Sequence, residues 1–152
     1  MTQRPQIFFV VEDNEMILDT LVENLNDFGY TVYGAHNHAE LSTLLKQVKP
    51  DMLLIDHFLP EKTGAEITSY LKGRQHKSIP TVILMSAHQH VKEIAKQIGV
   101  PFLEKPFSID DLLRIVNYKP AATIRDNQKK HVALRAITAI TNLYFTYPLE
   151  KY

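Results

Sequence analysis

The chain has 152 residues, a hydrophobic fraction of 45% and no cysteine. This excludes a disulfide-stapled scaffold, thiol chemistry and a disordered composition. Seventeen basic residues balance seventeen acidic ones, so net charge gives no argument for direct nucleic-acid binding.

The charge is uneven along the chain. Five basic and two acidic residues fall in 121–152, leaving twelve basic and fifteen acidic in 1–120. The N-terminus lacks the basic-then-apolar pattern of a signal peptide, and no apolar run reaches membrane-spanning length. The expected location is the cytoplasm, with no membrane partner.

An apolar run over 6–11 predicts a first strand ending in Glu12-Asp13. Ile17, Leu18, Leu21, Val22, Leu25 and Phe28 recur at helical spacing and predict a helix that Gly29 stops. Residues 31–35 form a less apolar strand suited to a sheet edge. A second helix over 37–48 turns Ala39, Leu41, Leu44, Leu45 and Val48 inward. Met52-Leu53-Leu54-Ile55-Asp56 is almost wholly apolar, as expected of a parallel strand covered on both faces. A turn over 60–64 leads into a third helix starting at Thr63 or Pro60, with Ala65, Ile67, Tyr70 and Leu71 as its inner face.

Thr81-Val82-Ile83-Leu84-Met85 runs into Ser86, and a thinly apolar helix over 89–98 ends at Gly99. A fifth strand over 100–104 runs into Lys105-Pro106. Ser108 and Asp111 make a capping box for a fifth helix, whose Ile109, Leu112, Leu113, Ile115 and Val116 cover the sheet. Five short strand–helix units with right-handed crossovers predict an α/β, doubly wound parallel sheet with helices on both faces. Ala133, Ala136, Ile137, Ile140, Leu143 and Tyr144 form an apolar stripe that predicts an extra C-terminal helix over 123–144. The expected division is therefore 1–120 and 121–152, the second part matching no output domain.

Chemistry collects beyond the carboxyl ends of strands in such sheets. That places Glu12, Asp13, Asp56, Ser86 and Lys105 around one point. Three carboxylates so close repel one another, and a hard cation relieves them. Mg2+ is the match for oxygen ligands. Asp13 and Asp56 suit direct ligation, Glu12 ligation through water, and the backbone carbonyl of Phe58 a further contact. Lys105 suits a phosphoryl oxygen and Ser86 a second one, so Asp56 reads as a nucleophile for phosphoryl transfer. Ser86 swinging inward would leave space for Phe102, a coupled switch. No organic cofactor is expected. His88 and His90, among seven scattered histidines, read as exposed loop or helix residues.

Glu12-Asp13, Leu54-Ile55-Asp56 with Pro60 and Gly64, Ser86-Ala87, and Phe102-Leu103-Glu104-Lys105-Pro106-Phe107 together resemble the receiver domain of two-component response regulators, over 6–119. The resemblance implies strand order 2-1-3-4-5 and Mg2+-dependent transfer of phosphate to Asp56 from a histidine kinase or phosphotransfer protein. It also implies hydrolysis of the aspartyl phosphate, and signalling through the face of helix four, strand five and helix five. Phe58 and His88 stand where side chains of this family modulate phosphate lifetime. Two other readings are weighed. One is a constitutive homodimer or partner-binding module that phosphorylation only modulates. The other is an aspartyl-phosphate phosphohydrolase, which would want a further acid/base and a substrate cap that the sequence lacks.

Overall fold

The computed structural model describes residues 6–73 and 80–117. The elements run β1 (Ile7–Val11), α1 (Glu15–Asp27), β2 (Thr31–Ala35), α2 (His38–Gln47), β3 (Met52–Asp56), α3 (Gly64–Gly73), β4 (Thr81–Ser86), α4 (His90–Ile98), β5 (Phe102–Glu104) and α5 (Ile109–Val116). The five strands are all parallel, in the order β2-β1-β3-β4-β5. β3 is central and β2 lies at an edge, as its weaker apolar pattern predicts.

Residues two apart on a strand share a face, and two separate cores result. Phe8, Val10, Met52, Leu54, Ile83, Met85 and Leu103 pack with Leu18, Leu21 and Leu25 of α1 and Ile109 and Leu112 of α5. Phe9, Val11, Leu53, Ile55, Val82 and Leu84 pack with Leu41 of α2, Ala65 and Ile67 of α3, and Val91 and Ala95 of α4. Alternation thus puts two helices on one face and three on the other, and each fully buried Leu or Ile contributes roughly 1.5–3 kcal/mol.

Polar side chains close the helix starts. Asn14 accepts from the Ile17 N–H at 3.1 Å, Asn37 from Glu40 at 2.9 Å, and Ser108 makes the reciprocal capping box with Asp111. Thr63 and Glu66 make the same exchange at α3: the Glu66 N–H reaches Thr63 Oγ1 at 3.2 Å and the Thr63 N–H reaches Glu66 Oε2 at 2.7 Å. Gly99, with φ 70°, ends α4 in the left-handed region. There Lys72 of α3 donates to the carbonyls of Ile98 at 2.6 Å and Gly99 at 3.1 Å, two of the acceptors that a helix end leaves open.

Three expectations are corrected. Tyr70 is 58% exposed, and Thr68 is buried in its place. With α3 opening at Gly64, its inner stripe runs Gly64, Ala65, Ile67, Thr68 and Leu71, which leaves Tyr70 on the far side. Ala39 is exposed, since two residues before Leu41 is about 200° around a helix. β5 forms only from Phe102, because Pro101 has no N–H to give the ladder, although its carbonyl accepts from Leu84 at 3.0 Å. The extra C-terminal helix and the division at 120 fall outside the described residues.

Candidate functional site: an acidic pocket at the strand ends

Backbone pairing continues past the strands and fixes the loops that carry the pocket. Glu12 donates to the Ala35 carbonyl at 3.1 Å, His57 to Met85 at 2.9 Å, and Lys105 to Ser86 at 2.9 Å. Gly64 lies close under the end of β3: its N–H donates to the His57 carbonyl at 2.9 Å. A Cβ there would run into the Asp56 carbonyl oxygen and come within 2.9 Å of Leu84 Cδ1. Only glycine permits α3 to start so near the strand.

Among the described residues, Glu12, Asp13 and Asp56 each offer a carboxylate oxygen within 4.8 Å of the others. Glu12 and Asp56 are buried and Asp13 is exposed. Lys105 bridges the buried pair, its Nζ 2.6 Å from Glu12 Oε2 and 2.7 Å from Asp56 Oδ1. The second oxygen of Asp56 accepts from the Phe58 N–H at 3.0 Å. Glu12 also accepts from the Asn14 N–H at 3.2 Å, which ties the pocket to the start of α1.

Burial is the largest influence on both acids. Desolvation raises Glu12 to about 7, with Lys105 opposing and the Asp56 charge adding to the rise. Asp56 is likewise raised by burial, against the pull of Lys105. Three carboxylates face one ammonium, so the pocket carries excess negative charge that a single lysine does not cancel. A donor set of carboxylate oxygens with an unbalanced charge fits a hard divalent cation such as Mg2+.

Ser86 is fully buried at the end of β4. Its Oγ accepts from the His88 N–H at 3.1 Å, so in this state the hydroxyl serves the start of α4. Phe102 is half-buried and packs against the α2–α3–α4 core. His88 is half-buried and His90 exposed.

Sequence reasoning gave His57 no role. Alternation offers the missing signal: one residue beyond Asp56, it shares the face of Leu53 and Ile55, under α3 and α4. It is 5% exposed, and burial lowers its imidazole below the usual value, with the Asp56 charge opposing. Among the described residues its Nδ1 is the one buried side-chain polar atom without a hydrogen-bond partner, a cost of about 1–3 kcal/mol.

The chain matches the family model of the response regulator receiver domain over residues 8–117. It is 29% identical over 107 residues to the sensory transduction protein BceR of Halalkalibacterium halodurans, a match that covers 68% of this chain and 45% of the relative. The chain thus spans about half the length of that relative. The chemotaxis response regulator CheY4 of Vibrio cholerae superposes with a TM-score of 0.67 at 22% identity, covering 74% of this chain and 96% of that one. The response regulator TrrA of Thermotoga maritima, solved in complex with Mg2+-BeF, superposes with a TM-score of 0.65 at 23% identity, covering 73% and 96%. These likenesses agree with the observed sheet order, and no helix among the described residues is long and apolar enough to cross a membrane. With the fold, the pocket and a family match spanning most of its length, the chain belongs to the response regulator receiver domain family.

Proposed function

We propose that this protein is a phosphoacceptor signalling domain in which Asp56 takes a phosphoryl group from a histidine kinase or phosphotransfer protein and signals through protein contacts. One observation carries the reading: three carboxylates within 4.8 Å of one another, two of them bridged by Lys105 at 2.6 and 2.7 Å. A carboxylate oxygen of Asp56 attacks phosphorus, the donor's P–N bond breaks, and the imidazole leaves with the electron pair. The Phe58 N–H and Lys105 orient Asp56 for that attack, and Lys105 offsets the charge spread over the phosphoryl oxygens. Glu12, Asp13 and Asp56, with the Phe58 carbonyl, would hold Mg2+, which when bound supplies a Lewis acid to the phosphoryl oxygens.

Ser86 couples the pocket to α4. Its Oγ accepts from the His88 N–H, and a side chain turning toward a phosphoryl oxygen draws away from that amide and loosens the entry of α4. Phe102 follows into the vacated space. The readout face is α4, β5 and α5, and Phe58 and His88, at the pocket's rim, set how long the acyl phosphate survives. A domain boundary near residue 120 and a cytoplasmic location complete the proposal.

The test is incubation with Mg2+ and a small acyl phosphate, followed by intact mass. One added phosphoryl group is expected, and none with Asp56→Asn. A group that persists in that variant, or no group on the wild type, refutes the reading.

A further inference from the structure

Three imidazoles gather around Phe58, whose backbone N–H bonds to Asp56 at the rim of the acidic pocket. The rings of His57 and His88 each pack edge-on against Phe58, with centroids 4.8 Å apart. His90 lies 6.2 Å from the same ring and 5.6 Å from His88. The three histidines come from two elements: His57 from the end of β3, His88 and His90 from the entry and first turn of α4. His57 is the anchor, 5% exposed and held by backbone bonds on both sides, from its N–H to Met85 and from Gly64 to its carbonyl. Its Nδ1 has no hydrogen-bond partner, although buried imidazole nitrogens ordinarily have one. A satisfied core histidine would look different.

We infer that His57, His88 and His90 form a second cation site, for a borderline divalent transition ion such as Zn2+. Neutral imidazoles select such ions, whereas the all-oxygen cluster beside them selects a hard one. The acidic cluster already has its donor atoms together. The imidazoles are separated by the half-buried Phe58 ring, which must turn outward for their nitrogens to close on one ion. Phe58 can do this with its backbone in place, since its N–H stays bonded to Asp56. An ion bound there ties the end of β3 to the first turn of α4, across the side of the pocket where Ser86 and His88 meet. It would hold α4 in its resting place and oppose the switch.

The sequence supplies its own control. His36 and His38 repeat the His-x-His spacing of His88 and His90, but His36 Nδ1 is engaged with Glu40 Oε2 at 3.0 Å. The experiment is calorimetric titration of the full chain with Zn2+ in excess Mg2+, which occupies the carboxylates. A single site is expected, weakened roughly tenfold or more by His90→Ala and by His88→Ala. It should be unchanged by the pair His36→Ala and His38→Ala. His57→Ala should abolish it. Because that residue is buried, the exposed His90 carries the decision if the variant does not fold. Phe58→Ala, which removes the ring between the ligands, is expected to bind at least as tightly. No Zn2+ binding, binding lost with His36 and His38, or binding that His90→Ala leaves unchanged overturns the proposal. So does a loss with Phe58→Ala. Failure here leaves the phosphoryl-transfer test on Asp56 untouched.

Discussion

Replacing Glu12 by Gln should make the metal-free protein more stable. Burial at the end of β1 raises the Glu12 carboxyl from 4.5 to about 7, even with Lys105 at 2.6 Å. Between those two pH values the folded state holds a proton that the unfolded chain has released. Unfolding free energy therefore falls as pH rises from 4.5 to about 7 and stays low above it. At 1.36 kcal/mol per pH unit, this amounts to roughly 3 kcal/mol above neutrality. Gln has the shape of the protonated acid and no charge, so it removes most of that cost, the repulsion from Asp56 included. A gain of about 2–3 kcal/mol near pH 8 is expected, shrinking to under about 1 kcal/mol near pH 5. The assay is urea unfolding with a chelator present, at both pH values, for wild type and variant. An unfolding midpoint for Glu12→Gln at or below wild type near pH 8 would refute the reasoning. A difference between variant and wild type that is the same at both pH values would do so too. Excess Mg2+ should narrow the gap, since a cation at a hundredfold its Kd adds about 2.7 kcal/mol to the protein that binds it.

Gly64→Ala should destabilise the domain by about 1–3 kcal/mol, seen as a lower denaturation midpoint, because the added methyl meets the Asp56 carbonyl and Leu84. An unchanged midpoint would mean that α3 is free to move back. Ser108→Ala removes one arm of the α5 capping box and should cost about 1 kcal/mol in the same measurement. Phe58→Asn should shorten the half-life of the aspartyl phosphate, followed by loss of the added mass with time. An equal half-life would show that the ring does not shield the acyl phosphate.

The sequence made the sheet legible because each strand is short, apolar and closed by a polar group of distinct type. Asp56 follows four apolar residues, and Ser86 and Lys105 end their own runs, so alternating units and one handedness brought them to one rim. Helix faces were less legible. Tyr70 and Ala39 fit an apolar count, but at 100° per residue each lies well off the stripe its helix buries. The start of α3 was legible at Thr63, one of the two starts the sequence offers, where the exchange with Glu66 opens the helix. Contacts between side chains away from the strand ends were not legible. Nothing in the neighbourhood of Lys72 announces that its ammonium closes the end of α4, or that Phe58 packs against histidines on both sides. Those depend on how helices pack, which no local pattern records.

The lysine that caps α4 has a mechanical consequence. α4 spans His90–Ile98, about 13 Å at 1.5 Å per residue. Its far end is pinned by two hydrogen bonds to a neighbouring helix, and its near end is latched by the bond from the His88 amide to Ser86 and by Gln89, which donates to Glu104 of β5. A rod pinned at one end and latched at the other swings rather than slides. Releasing the latch moves the residues beside the pocket farthest and Ile98 least, so a partner that reads the swing should grip the helix near His90, not near Gly99.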